Sequence, residues 1–211
     1  MVKRILFIFI LLISGFSFSQ LSKNHYIPPI SSGPSNADPL DQLMYISTPS
    51  QGDVNFTINI VGGNSISGTV SNATPYVYGI ADSGYSSFVQ DPATTSRVTS
   101  DKGYIINADS PIYVSVRLNA GNNAQAGALV SKGENALGTT FRIGTYDNQG
   151  SPGSNYLNFF SFMATEDNTT VNLTNERVTS GLQIQNAGAQ QFPINNISLN
   201  RGQTYVVAVR P

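Results

Sequence analysis

The chain has no cysteine and no tryptophan, a single histidine, and only 11% charged residues. Without cysteine there can be no disulfides and no thiolate metal sites. A typical soluble domain is about 25% charged, so something other than ions must hydrate this surface. Eleven basic residues stand against twelve acidic ones with no Lys/Arg cluster, which excludes a nucleic-acid binder that works by neutralising phosphates. No apolar run reaches the roughly 20 residues a membrane-spanning helix needs. Helical bundles and coiled coils need Ala, Glu, Lys and Leu in abundance, and this composition lacks that bias.

What fills the space is small and neutral: 25 serines, 21 asparagines, 19 glycines and 16 threonines among 211 residues. Ten tyrosines and eleven phenylalanines accompany them. That is enough to bury a core and separates the chain from disordered polyelectrolytes. The length suits one large or two small β domains.

The first 19 residues read as an address. Lys3 and Arg4 precede an unbroken apolar run from Ile5 to Ile13, and Ser17-Phe18-Ser19 then offers small residues where a signal peptidase reads. Cleavage is expected before Gln20, giving a secreted or cell-surface protein with no membrane span and, lacking a lipobox cysteine, no lipid anchor. Residues 20–41 hold four prolines and no apolar periodicity, and read as an extended lead-in draped on the surface.

Residues 42–211 alternate. Val54, Phe56, Ile58 and Ile60 face one way, against Asn55, Thr57 and Asn59. Ile112, Val114, Val116 and Leu118 do the same against Tyr113, Ser115 and Arg117. Comparable strands can be drawn at 43–48, 75–80, 103–107, 139–145, 157–164, 169–174, 182–186 and 204–210, separated by Gly/Asn/Ser turns. Asn122 to Asn135 suits either a buried strand or a loop across the core. No stretch carries a helical stripe. The fold class is all-β, an antiparallel sandwich-like arrangement, with Phe56, Ile58, Val114, Val116 and Phe160 in one core.

An internal echo suggests two similar β units in tandem. Phe56 and Ile58 match Val171 and Leu173, and Tyr76-Val77-Tyr78 matches Tyr205-Val206-Val207. Chance similarity between amphipathic strands is the competing explanation. If the units are alike, ending at Pro211 leaves the second short of strands, with an unpaired sheet edge and a tendency to self-associate.

Candidate chemistry is sparse. Glu166, Asp167 and Asn168 carry the oxygen atoms Ca²⁺ prefers, but the same string suits a tight turn in which Asp and Asn bond the local backbone, and the turn is preferred. No other cofactor is implied. His25 lies in the lead-in, away from any predicted strand, and reads as a surface histidine rather than part of a catalytic triad. The acids sit in turns, not in facing pairs, so no enzyme is expected. Tyr76, Tyr78, Tyr113 and Tyr205 fall in strands as packing residues, whereas Tyr85, Tyr146 and Tyr156 fall in polar loops and are the candidates for ligand contact. Five N-x-Ser/Thr sequons, at Asn55, Asn72, Asn168, Asn172 and Asn196, are what so polar a sequence yields by chance.

Four strings occur in order: Gly103 to Val114, Ala136 to Tyr146, Ala164 to Val171 (ATEDNTTV, the most specific) and Leu199 to Tyr205. With Asp41 to Ile58 as an opening, residues 41–211 resemble the IgGFc-binding-type domain found at the N-terminal end of large secreted proteins. The signal sequence ending Phe-Ser-Gln is similar to those of gliding Bacteroidota that use type IX secretion, although no sorting domain of that system occurs here. The resemblance implies a non-catalytic surface binding or adhesion module, part of a larger adhesin, whose partner is a surface protein or a glycan. It does not imply antibody binding. A carbohydrate-binding module and a passive stalk are the rivals: an exposed aromatic row would favour the first, uniformly polar faces and stacked identical units the second.

Overall fold

The structure is a computed structural model, and it describes residues 20–31, 39–120, 126–144, 158–174, 183–184, 186 and 192–210. The strands are β1 (Ser22–Ile27), β2 (Ile30–Ser31), β3 (Pro39–Ser47), β4 (Val54–Ile60), β5 (Ser65–Val70), β6 (Tyr76–Ser83), β7 (Val89–Gln90) and β8 (Val98–Thr99). They continue with β9 (Tyr104–Ala120), β10 (Ala126–Val130), β11 (Asn158–Met163), β12 (Thr169–Leu173), β13 (Gln183–Ile184), β14 (Ile194–Leu199) and β15 (Thr204–Arg210). Two 3-10 turns, Pro92–Thr94 and Gly133–Ala136, are the described helical pieces. The all-β reading holds.

β9 organises the first half of the molecule. Its first residues pair with β4 on one edge and β1 on the other; its last residues pair with β3 and β10. The strand turns a corner at Asp109-Ser110-Pro111, where a proline costs little because the ladder changes partners. Two four-stranded sheets therefore share β9: β1-β9-β4-β5 and β10-β9-β3-β6. Their inner faces meet in one core of Met44, Ile46, Phe56, Ile58, Tyr104, Ile106, Ile112, Val114 and Val116, with Phe56 edge-on to Tyr76 at 4.9 Å. Gly103, at φ 99°, opens β9, and a Cβ there would lie 2.7 Å from the Ile27 carbonyl oxygen, so this turn excludes any side chain.

The second half has its own core. β15 lies between β11 on one edge and β8 with β13 on the other, while β12 pairs with β14. Ile184, Ile194, Leu199, Tyr205, Val207 and Val209 are buried there. Phe160 packs in this second core, not with Phe56 and Val116, so the single core expected from sequence is two.

The echo is topological. β3-β4-β5-β6 and β11-β12-β14-β15 follow one plan, in which the outer two strands pair and the inner two pair. Ile46 opposite Tyr76 corresponds to Phe162 opposite Tyr205, and Phe56 opposite Gly68 to Val171 opposite Ile197. Even the last turn repeats: Thr74 N–H donates to the Ser71 carbonyl, as Gln203 N–H does to that of Asn200. The registers differ elsewhere, with shifts at Gln42/Leu43 in β3–β6 and at Val171/Leu173 in β12–β14, but a shared pairing order and turn are more than chance alternation yields. The open edges of the second unit are those of β11 and β12, not of β15, which is paired on both sides; among the described residues neither β11 nor β12 has a second partner.

Three expectations need correcting. Residues 139–144 form no strand, although their alternation is strand-like. Ala126–Val130 resolves the open choice at 122–135 as an edge strand on β9. Most consequentially, the start of the lead-in is strand β1, and His25 is fully buried. Its Nε2 lies 3.1 Å from the Ser22 carbonyl oxygen and 3.0 Å from that of Ile112, groups that only accept, so the proton sits on Nε2. Nδ1 then accepts from the Ser131 hydroxyl at 2.9 Å. Sequence missed this because the polar periodicity of SKNHYI reflects hydrogen bonding, not hydrophobicity.

Two outcomes follow. Val116 is fully buried and faces the core, so Val116→Asp should abolish cooperative unfolding by burying an unpaired carboxylate; Val77→Asp, on the outer face, should shift stability by less than about 0.5 kcal/mol. Calorimetry of the two variants distinguishes inner from outer register. Burial lowers the His25 pKa from its ordinary value, against the upward pull of its carbonyl partners. The folded chain thus resists a proton that the unfolded chain takes up below about pH 6.5. Stability should fall from pH 7 to pH 5 by at most about 1.4 kcal/mol per pH unit. In His25→Gln, which removes the one histidine, urea titrations over that range should become nearly flat.

Candidate functional site

Strand alternation gives each sheet of the first unit an outer face, and the two differ in chemistry. Across β1-β9-β4-β5 runs a ladder of neutral side chains. Asn24 Nδ2 donates to Glu134 Oε1 at 2.9 Å, Asn107 Nδ2 to Asn24 Oδ1 at 2.7 Å, Asn59 Nδ2 to Asn107 Oδ1 at 3.0 Å, and the Ser65 hydroxyl to Asn59 Oδ1 at 2.8 Å. Each amide both donates and accepts, so asparagine spans three strands and Ser65 carries the ladder onto the fourth. This face is saturated from within.

The outer face of β6-β3-β9-β10 is not. Inward Met44, Ile46, Val114 and Val116 force Tyr45, Tyr113, Ser115 and Arg117 outward. Register then sets two rows across the sheet: Val77-Tyr45-Ser115-Val130 and Gly79-Leu43-Arg117-Ala128. Val77 and Val130 are each 50% exposed and Tyr113 38%. The Arg117 guanidinium lies over the Tyr45 ring, 5.3 Å from its centre, a cation–π contact. On the second unit, Val206 occupies the place of Val77 and is fully buried, with Ser96 N–H donating to its carbonyl at 2.8 Å. One copy of the face is closed and the other open.

Tyr85 is 51% exposed on the loop after β6. That loop is pinned from below: buried Gln42 donates to the Gly84 carbonyl at 2.6 Å and accepts from the Ser86 hydroxyl at 2.5 Å. Tyr146 and Tyr156 lie outside the described residues. Glu166, Asp167 and Asn168 form the turn between β11 and β12, with Asn168 at φ 57°. The Thr169 hydroxyl donates to the Glu166 carbonyl at 2.8 Å, and Asp167 Oδ1 accepts Arg201 N–H at 3.0 Å. The first bond closes the turn on itself, and the second, with Asn168 N–H donating to Asn200 Oδ1 at 3.2 Å, ties it to the β14–β15 connection. Tyr76 and Tyr78 pack on the first core and Tyr205 in the second, as their strand positions imply, whereas Tyr113 is exposed.

The His25–Ser131 pair does not form a nucleophile and its base. Both residues are buried, Nε2–H is aimed at carbonyl oxygens, and the nearby Glu134 carboxylate is held by Ser22 and Asn24. The outer row at Tyr45 and Val77 went unnoticed at the level of sequence, although alternation around Met44 and Ile46 already sends Tyr45 outward. Exposure of that row also depends on which strand is an edge, which a lone chain does not declare.

No curated protein and no solved structure matches this chain. Residues 126–210, from β10 to β15, match the family described as IgGFc binding protein. The matched stretch is the C-terminal part of the region over which the motif strings suggested that family, and it holds the ATEDNTTV and LNRGQTY segments.

Proposed function

We propose that this chain is an exported, non-catalytic binding module of the cell surface, forming part of a larger adhesin-like protein, and that it meets its partner with the outer face of β6-β3-β9-β10. The observation that carries this reading is the open face made by Val77, Tyr45 and Val130 in one row with Tyr113 and Arg117 beside it, on a sheet whose neighbour carries an amide ladder. The family match over residues 126–210 supports a binding role rather than an enzymatic one. The basic start, apolar run and Ser17-Phe18-Ser19 support export, and the Phe-Ser-Gln ending is the reason for assigning a type IX route in a gliding bacterium.

A protein surface is the favoured partner, because the face is flat and mixes aliphatic with aromatic groups, whereas glycan sites rely on aromatic platforms. The exposed rings of Tyr113 and Tyr85 sustain the glycan reading as the second choice. With only 11% charged residues, attachment should depend little on salt.

Two experiments test this. Mass spectrometry of protein released by a native host should find a chain beginning at Gln20; a product retaining Met1 to Ser19 contradicts export. Immobilised panels of purified extracellular proteins and of glycans should capture the protein on the first, with affinity changing less than about twofold between 0.05 and 0.5 M salt. The double variant Val77→Lys, Tyr113→Lys should bind at least about tenfold more weakly while melting like the wild type. Capture on glycans alone supports the second reading, and undiminished binding by the double variant moves the site off this face.

A further inference from the structure

The open face of the first unit carries a charge that the fold does not use. Arg117 is exposed on β9, opposite Leu43 of β3 on one side and Ala128 of β10 on the other. Among the described residues its polar contact is the Tyr45 ring, 5.3 Å to the centroid, and no hydrogen bond or ion pair engages it. A ring contact satisfies none of the five N–H donors of a guanidinium. The carboxylate nearest in the pairing is Asp41, in the bulge two residues before Leu43, and it accepts the Asn119 amide at 3.0 Å instead. The next charge along from β10, exposed Lys132 two residues beyond Val130, is also positive.

The Tyr45–Arg117 stack is not a requirement of the shared plan. In the second unit Ser161 stands where Tyr45 does, paired with Val206 as Tyr45 is with Val77, and there Val206 is buried. The aromatic ring and its cation belong to the copy of the face that solvent reaches.

That placement limits what can bind. Val77 and Val130, at the two ends of the Tyr45 row, are each 50% exposed. A partner that covers this row also covers the guanidinium over Tyr45 and strips its water. An ion buried without a counter-charge is expensive, and a carboxylate offers two oxygens that match the planar donor edge. A neutral surface of the same shape is penalised, so an unpaired charge among apolar groups selects between partners.

We propose that Arg117 is the specificity-determining residue of this face, and that it takes the carboxylate of an Asp or Glu set among apolar residues on a partner protein. The inference rests on the reading that the outer face of β6-β3-β9-β10 is the binding surface, and names what that surface recognises. Tyr45 positions the guanidinium, while Val77 and Val130 keep water from the pair. A single pair shielded in this way adds little dependence on salt. An acidic sugar carries the same group, but its hydroxyl-rich ring does not match the two valines.

The probes are the capped peptides acetyl-Leu-Asp-Leu-amide and acetyl-Leu-Asn-Leu-amide, with glucuronate as the sugar carboxylate. Each is titrated into isotopically labelled protein at pH 7 and constant ionic strength, and followed by NMR. The Asp peptide should move the Arg117 side-chain and Tyr45 ring signals saturably, and bind at least about tenfold more tightly than either other probe. In Arg117→Gln the two peptides should bind equally, with Val77 and Tyr113 signals still moving. Arg117→Lys, which keeps the charge but not the fork, should restore part of the preference. No saturable shift by about 20 mM Asp peptide overturns the proposal. Equal binding of both peptides to the unaltered protein, with shifts at Val77 and Tyr113, overturns the carboxylate and leaves the binding face standing. Glucuronate bound as tightly as the Asp peptide overturns the choice of a protein partner. Shifts confined to other parts of the molecule contradict the binding face itself.

Discussion

A buried strand must satisfy the hydrogen-bonding groups on both of its edges, and in this protein the 17 residues of β9 do so with four different partners. Unpaired main-chain groups away from water each cost on the order of a lost hydrogen bond, so a strand this long fixes the positions of β1, β3, β4 and β10 around it. The change of partner at Asp109-Ser110-Pro111 folds one sheet over the other and closes the first core. The outer face of the first unit follows. Which side chains face out on β3 and β9, and therefore the row of Tyr45, Tyr113 and Arg117, is a consequence of which ones β9 draws in.

The polar composition has a structural use within the same frame. A sandwich with few charges must still present a face that water accepts and that other strands do not extend. The Asn24-Asn107-Asn59 ladder achieves this with side chains that bond one another across the strands. His25 performs the corresponding task inside, linking β1, β9 and the residues after β10 through three hydrogen bonds without a charge. Neutral hydrogen bonding takes the role that ion pairs have in more highly charged domains.

Much of this was legible in the sequence, and the failures have physical causes. Alternation located β4, β11, β12 and β15 because each buries one face against a core, which is the condition under which period two appears; β9 reads from sequence as two strands, 103–107 and 112–118, and its continuity through Asp109-Ser110-Pro111 comes from the structure. β5 (SISGTV) escaped because it is an edge strand whose side chains are mostly small and exposed, and β1 because a buried serine and a buried histidine, Ser22 and His25, stand where apolar residues were sought. Residues 139–144 show the same alternation, but a strand needs a partner as well as a pattern, and they form none. The division into two cores was not readable from Phe160 or Phe56 alone; it lies in the pairing. Of the candidate site residues, Tyr85 is exposed as its loop suggested and Glu166-Asp167-Asn168 is a turn, whereas the open face on β3 and β9 required the registers.

The central claim is that the two units are one plan, and that among the described residues only the first carries the central strand, β9. Residue-resolved amide hydrogen exchange on the protein without any added partner tests it most directly. The account predicts that consecutive amides along β3 and β4 are all protected, since both edges are bonded, whereas along β11 and β12 protection alternates, slow toward β15 and β14 and fast toward the open side. Uniform slow exchange along β11 and β12, matching β3 and β4, would contradict it.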